Sequence, residues 1–288
     1  MYEAKQSGKA CVRVFDAAMQ RRAAERLRLE EDLRRAIERD ELTIQYQPIV
    51  DLEGGTVHAF EALCRWEHAE LGPIGPDRFI PIAEDTGQIV ALGERVLVSA
   101  ARWLARWRRA RPEEPGVRVQ VNLLRHQLAA DGLAEWIAGL VRGEGIEPAD
   151  VVLETTEIAY VEDEDTLIRT LESLHGAGFV LSLDDFGAGY STLSNLKRFP
   201  VDQVKIDRSF FSGAHEQRDV LALTREIVTL AGNRGFDAVA EGLESAEQVT
   251  VLRVVGCRYA QGFVFARPMG GDAALDWRWD EARLGLAA

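Results

Sequence analysis

An α/β barrel is the fold class this 288-residue sequence predicts, and three observations predict it. After residue 87, strand-like and helix-like segments alternate, the pattern of a parallel sheet or barrel. Six short apolar runs, each the length of a buried strand, end in a carboxylate, amide or lysine. They are VRVQVN at Asn122, VVLE at Glu154, FVLSLDD at Asp184 and Asp185, QVKID at Lys205 and Asp207, DAVAE at Glu241, and CRYAQ at Gln261, while HAFEALCRW carries Glu61 in a similar setting. Acids and amides at the carboxyl ends of successive strands mark the active-site face of such a barrel. Finally, the length suffices for one barrel of roughly 250 residues with a short extension.

Taken in order, residues 1–15 read as the end of a helix, a turn at Ser7-Gly8-Lys9 and a short strand from Cys11 to Phe15. Residues 16–40 form an uninterrupted helix with an apolar stripe of Leu29, Leu33, Ala36 and Ile37. The pairs Glu30–Arg34 and Glu31–Arg35 stand at i,i+4 on that helix. Two readings of it stand side by side: a helix that caps the barrel, or a linker that conveys motion from an upstream domain. TIQYQPIVDL and HAFEALCRW, joined by a turn at Glu53-Gly54-Gly55, predict a hairpin. Helix 91–110 follows, then strand 117–123 and helices near 126–143. The next units are strand 150–155 with helix 163–176, strand 178–184 with a helix near 191–198, strand 202–206 with helix 216–233, and strand 236–240 with helix 245–255. A last strand lies near 258–266.

Hydrophobic residues make up 47% of the chain, enough for a large core. A net charge of −13 argues against non-specific binding of double-stranded nucleic acid. It leaves an anionic substrate open, because carboxylates that hold divalent cations become locally attractive to phosphate. Cys11, Cys64 and Cys257 are widely spaced and form no zinc signature, as expected of a reducing cytoplasm. No apolar stretch approaches the roughly 18 residues of a membrane span, so no membrane contact is expected of this segment.

Each acid alone has a plain structural explanation. Glu154 suits a helix cap, and Asp184-Asp185 and Glu241 suit the opening of glycine-containing turns. Closing the strands into a ring makes the acids converge, and converging carboxylates repel unless protonated or bound to cations. Carboxylate and amide oxygens are hard ligands that suit Mg²⁺ or Mn²⁺. His58, His68, His126, His175 and His215 all lie away from the strand ends, which argues against zinc. Adjacent Asp184 and Asp185 have the spacing to divide two cations. Lys205 is one of four lysines in an arginine-rich chain, the others being Lys5, Lys9 and Lys197. It suits a cation that orients a water or a phosphoryl oxygen, or else an ion pair with Asp207 or another acid.

Together the motifs are recognisable. The sequence resembles the EAL-domain family of cyclic di-GMP phosphodiesterases. Glu61-Ala62-Leu63 stands inside EALCRW, and YQPIV, FIPIAEDTG, VNL, LETTE, DDFGAGYS, VKIDRSF, AEGLE and QGFVFARPM occur in the family's order over residues 25–275. The resemblance implies a modified (β/α)8 barrel with one antiparallel strand, preceded by the linker helix. It implies a two-metal Mg²⁺ or Mn²⁺ site with Glu61, Asn122, Glu154 and Asp184 on one ion and Asp184, Asp185 and Glu241 on the other. Lys205 would contact the nucleophilic water, Gln261 would help hold that arrangement, and Glu157 and Asp207 would be supporting acids. Gln47, Leu63 and Arg65 would line the pocket for cyclic di-GMP, which members hydrolyse to linear pGpG, many as homodimers. Cys64, VNLLRHQ and Asn195 depart from the more usual residues, and none of them removes a metal ligand.

MYEAKQSGKACVRVFD resembles the end of a GGDEF diguanylate cyclase domain. The expected organisation is a GGDEF remnant at 1–15, a linker helix at 16–40, the EAL barrel at 41–276 and a tail at 277–288, within a tandem protein whose other segments could anchor it to a membrane. Two other functions compete: a sensor that binds cyclic di-GMP without turnover, for which loss of Glu61, Asp184 or Glu157 would speak, and a regulated interaction domain.

Overall fold

The run TIQYQPIVD forms strand β1 (Leu42–Asp51), which pairs antiparallel with β2 (Thr56–His68). The Asp51 carboxylate shapes the connecting turn by accepting hydrogen bonds from the backbone N–H groups of Glu53 at 3.0 Å and Gly54 at 2.9 Å. Gly55 follows with φ 64°, a conformation that costs glycine little. The hairpin register sets Gln47 opposite Glu61. This is a computed structural model, which describes residues 17–39, 41–156, 164–186, 199–211 and 217–284. The expected remnant at 1–15, the helix near 191–198, Asn195 and Glu157 all lie outside the described residues.

After the hairpin come β3 (Gly72–Ile74), α2 (Pro76–Asp85) and α3 (Ile89–Ala110). The repeat continues with β4 (Arg118–Asn122), α4 (Arg125–Leu128), α5 (Leu133–Gly143), β5 (Val151–Thr156), α6 (Glu164–Gly176), β6 (Val180–Phe186) and β7 (Gln203–Ile206). It closes with α7 (Gln217–Arg234), β8 (Asp237–Ala240), α8 (Ala246–Val255), β9 (Tyr259–Gln261), β10 (Met269–Gly270) and α9 (Gly271–Asp276). Strands β2 and β4 to β9 run parallel, each beside the next. Strand β1 lies between β2 and β9, antiparallel to both, and closes an eight-stranded barrel. The modified barrel with one antiparallel strand is therefore the observed fold.

One expectation is corrected and one element is added. Helix α2 is the added element, lying before the strand–helix alternation that the sequence shows after residue 87. The helix forms because Pro76 opens it and Phe79, Ile82 and Ala83 bury one face. The last strand is three residues rather than nine, since Gly262 turns the chain out of the sheet. The helices expected near 126–143 are α4 and α5, and Gly132, with a left-handed φ of 74°, precedes the second.

Helix α1 (Ala17–Arg39) buries Leu29, Leu33 and Ala36 against Trp66, Ile74, Phe79 and Ile82. Each leucine contributes roughly 1.5–3 kcal/mol, so the helix is fastened to the barrel by its apolar stripe. The expected Glu31–Arg35 pair forms, while Glu30 meets Arg26 at 3.5 Å. Between β1, β2 and α3, Tyr46 stacks on Trp103 at 4.2 Å and Phe60 meets Trp107 at 5.1 Å. Buried Arg111 lies 4.4 Å over Trp107 and donates to the carbonyls of Leu275 and Trp277, which ties the chain after α9 to the end of α3.

Alternate strand residues face opposite sides. Val119, Val121, Leu153 and Leu181 pack outward under the helices. Their neighbours point into the barrel, where Ile49, Ala59, Val239 and Tyr259 form a separate apolar plug. Above that plug, towards the carboxyl ends of the parallel strands, the inward residues are acids, amides and one lysine.

Candidate active site

The site is built by strand ends. Register sets Asn122 beside Glu154, and Lys205 beside Val239, two residues below Glu241. The strand tilt of a barrel brings residues of alternate strands to one height. Glu61, Glu154, Lys205 and Gln261 occupy one such height, and their contacts bear this out. Lys205 Nζ pairs with Glu154 and lies 3.7 Å from Glu61, while Gln261 Nε2 donates to Glu61 Oε2 at 2.6 Å. Asp184 and Glu241 stand above, Asp184 at 3.8 Å from Lys205 and Glu241 in direct ion-pair contact with it.

The orientation of Glu61 is fixed from two sides. Asn122 Nδ2 donates to its Oε1 at 3.1 Å, and Gln261 holds its Oε2. Gln261 also donates to Gln47 Oε1 at 3.1 Å, and Gln47 Nε2 donates to the Ala266 carbonyl at 3.1 Å. One amide network thus links β1, β2 and β9.

Four carboxylates surround one ammonium, so negative charge outnumbers positive within this cluster when all are ionised. Burial pushes the Glu154 carboxyl well above the usual range; Lys205 opposes this, and the charges of Glu61, Asp184 and Glu241 add to it. Burial likewise raises Glu241 to about 8, against the pull of Lys205 and with help from Asp184 and Glu61. Burial alone would lower Lys205, but Glu154, Glu241, Glu61 and Asp184 outweigh it and hold the ammonium charged. Ligand oxygens of Glu154, Asp184 and Glu241 lie within 4.8 Å of one another. Apart from Lys205, neither oxygen of Glu154 has a hydrogen-bond donor among the described residues, although the residue is wholly buried. A cluster of hard oxygens with the buried Glu154 carboxylate at its base fits a divalent cation.

A cleft of about 300 Å³ opens over this cluster, lined by Gln47, Glu61, Leu63, Asp184, Lys205, Glu241 and Gln261 among others. Two of the expected residues have other partners within the described residues. Arg65 is not among the lining residues: its Nε donates to Gln45 Oε1 at 3.1 Å and its Nη1 to the Cys64 carbonyl at 3.0 Å. Asp207 lines the cleft but does not pair with Lys205, because its carboxylate caps the following turn by accepting from the Ser209 N–H at 2.9 Å. The backbone of Asp185 continues β6 beside Asp184. Arg208, Glu244 and Phe263 line the mouth and were not singled out from the sequence. Phe263 is 48% exposed and carries the Arg267 guanidinium 4.3 Å over its ring. Its position two residues beyond Gln261 was the available signal.

Residues 30–268 match the family model described as EAL domain. The chain is 38% identical over 275 residues to the bifunctional diguanylate cyclase/cyclic di-GMP phosphodiesterase MucR of Pseudomonas aeruginosa, covering 96% of this chain and 40% of that protein. It is 37% identical over 277 residues to the cyclic di-GMP phosphodiesterase PdeR of Escherichia coli, covering 96% and 41%. The chain therefore spans about two fifths of the length of these curated relatives. Among solved structures, the PaMucR phosphodiesterase in complex with c-di-GMP superposes with a TM-score of 0.79 at 38% identity, covering 86% of this chain and 99% of that one. The EAL domain of Mycobacterium smegmatis DcpA gives 0.69 at 36% identity, covering 82% and 96%. A barrel closed by one antiparallel strand, acids gathered at its strand ends and a family model matched along most of the sequence lead to one assignment: this chain belongs to the EAL-domain family.

Proposed function

We propose that this chain is a metal-dependent phosphodiesterase that hydrolyses one phosphodiester of cyclic di-GMP to linear pGpG. The observation that carries the reading is the convergence of Glu154, Asp184 and Glu241 around Lys205 at the floor of an open cleft. The names of MucR and PdeR and the c-di-GMP complex of PaMucR support the substrate.

Glu61, Asn122, Glu154 and Asp184 would hold one Mg²⁺ or Mn²⁺, and Asp184, Asp185 and Glu241 a second. When bound, such cations supply charge stabilisation at the phosphoryl group and a more acidic water. The chain's own residues do the remaining work. Asn122 and Gln261 hold the Glu61 carboxylate in one orientation. Lys205, anchored by Glu154 and Glu241, presents a fixed positive charge to the attacking water and the developing phosphorane oxygen. The water oxygen attacks phosphorus, the bond to O3′ breaks, and a 5′-phosphate and a 3′-hydroxyl result. Gln47 and Leu63 would contact the nucleotide from β1 and β2, and Arg65 would reach phosphate by leaving Gln45.

The wider assignments belong to the same proposal: an upstream GGDEF segment within a tandem protein, α1 as a linker, Glu157 and Asp207 as supporting acids, a homodimer and a cytoplasmic location. Among the described residues no helix is long and apolar enough to cross a membrane. The test is hydrolysis of cyclic di-GMP by the purified chain with Mg²⁺ or Mn²⁺, beside Glu61→Ala. Linear pGpG from the wild type alone is expected. Tight binding without turnover would move the function to that of a sensor.

A further inference from the structure

Beneath the acids, the barrel interior holds polar side chains where branched aliphatics normally dominate. Gln120 on β4 and Ser182 on β6 have no solvent exposure, and Gln203 on β7 has almost none. Gln203 Nε2 donates to Ser182 Oγ at 3.2 Å, which leaves the hydroxyl its own proton to give. Neither the oxygen nor the nitrogen of the Gln120 amide has a partner among the described residues. Strand β5 runs between β4 and β6. Register sets Ser182 beside Glu154, and Gln120 beside Val152, two residues below Glu154. Among the described residues, Lys205 is the one donor to the Glu154 oxygens.

An unpaired buried amide is costly, and a donor-poor buried carboxylate costs more. Internal waters typically make about three hydrogen bonds to such groups. One water placed here would accept from Gln120 Nε2 and from the Ser182 hydroxyl and donate to Glu154, meeting three needs at once. We propose that Gln120 and Ser182 hold a sealed water against Glu154, which makes Gln120 a positioning residue for that carboxylate. The inference rests on reading Glu154 as a cation ligand, since hydrogen bonds to ligating carboxylates tune metal affinity roughly 10–100-fold.

The test compares wild type, Gln120→Met, Ser182→Ala and the double variant by Mn²⁺ titration calorimetry, by metal-free melting, and by crystallography at a resolution that shows waters. Mn²⁺ binding is expected to weaken about 10-fold in each single variant, with the double variant no weaker than the worse single one, because both hold the same water. An ordered water touching Gln120, Ser182 and Glu154 is expected in the wild type and absent from Gln120→Met. A merely structural amide would shift melting and leave Mn²⁺ affinity unchanged; that result, or a dry floor in the wild type, overturns the inference alone. A wild type that binds no Mn²⁺ overturns the reading of Glu154 itself, and the inference with it.

Discussion

Lys205 and Glu154 meet in an ion pair sealed from solvent, the lysine side chain 1% exposed and the glutamate 0%. The pair stands between strands that are not neighbours, so the barrel's closure creates it. Its worth lies less in attraction than in what removal of one partner exposes, because an unpaired buried charge is far costlier than a paired one.

Lys205→Met should therefore leave four carboxylates facing one another. Metal-free stability is expected to fall by roughly 3–5 kcal/mol, and kcat for cyclic di-GMP by at least about 100-fold. Mn²⁺ should bind as tightly as in the wild type or more so, since a competing positive charge is gone. Melting, steady-state kinetics and calorimetry check the three parts. Near-normal turnover would remove Lys205 from the chemistry.

Divalent cations should stabilise the fold through the same repulsion. At 100 times its dissociation constant, Mn²⁺ adds about 2.7 kcal/mol. For a chain of this size that raises Tm by roughly 5–10 °C, and a chelator should reverse it. In Glu154→Gln the shift should largely vanish. A melt indifferent to metal, in protein that still hydrolyses its substrate, contradicts this account.

At the opposite end of the barrel, His58 stacks on Tyr259 with ring centroids 3.9 Å apart, and its buried Nε2 has no partner among the described residues. Burial, joined by the positive charge of Arg118, lowers the imidazole to about 4. The unfolded chain takes up this proton near pH 6.5, while the folded chain resists until about pH 4. The contribution of neutral His58 is thus fully present above pH 6.5 and shrinks as pH falls through that window, by roughly 3 kcal/mol in all. His58→Phe should gain stability over the wild type progressively from pH 7 to pH 4.5. Parallel Tm profiles for the two proteins would count against it.

The strand ends were legible because a buried strand finishing in an acid needs no tertiary information to be noticed. VVLE and DAVAE place Glu154 and Glu241 by pattern alone, and the hairpin at residues 42–68 foretold the antiparallel strand. What pattern cannot supply is contact across the chain. The sequence offers Lys205 a near partner in Asp207, yet the folded lysine chooses Glu154 and Glu241, and Asp207 caps its own turn. Arg65 turns to Gln45, its neighbour across the hairpin. Helix α2 lies before the alternation read from residue 87 onward, and its apolar face of Phe79, Ile82 and Ala83 is buried by tertiary contacts that pattern does not supply.

Gly262 bears the last prediction. A Cβ there would stand 2.2 Å from the Leu243 carbonyl oxygen and 2.3 Å from its nitrogen, both backbone atoms that cannot swing aside. The two segments are also bonded to each other, Leu243 N–H to the Gln261 carbonyl at 3.2 Å and Val264 N–H to the Leu243 carbonyl at 3.0 Å. Gly262→Ala must therefore push the end of β9 away from the loop after β8. Gln261 moves with it and loosens its hold on Glu61, and Phe263 shifts at the mouth. A stability loss of about 2–4 kcal/mol is expected, and a displacement near 1 Å is enough for roughly 100-fold in kcat. Gly143→Ala is the control: a Cβ at the end of α5 meets nothing, so a gain of about 0.5–1 kcal/mol with unchanged kcat is expected. Melting and kinetics on the pair decide the matter, because an alanine at 262 that keeps both stability and rate would mean that the close approach does not hold Gln261 in place.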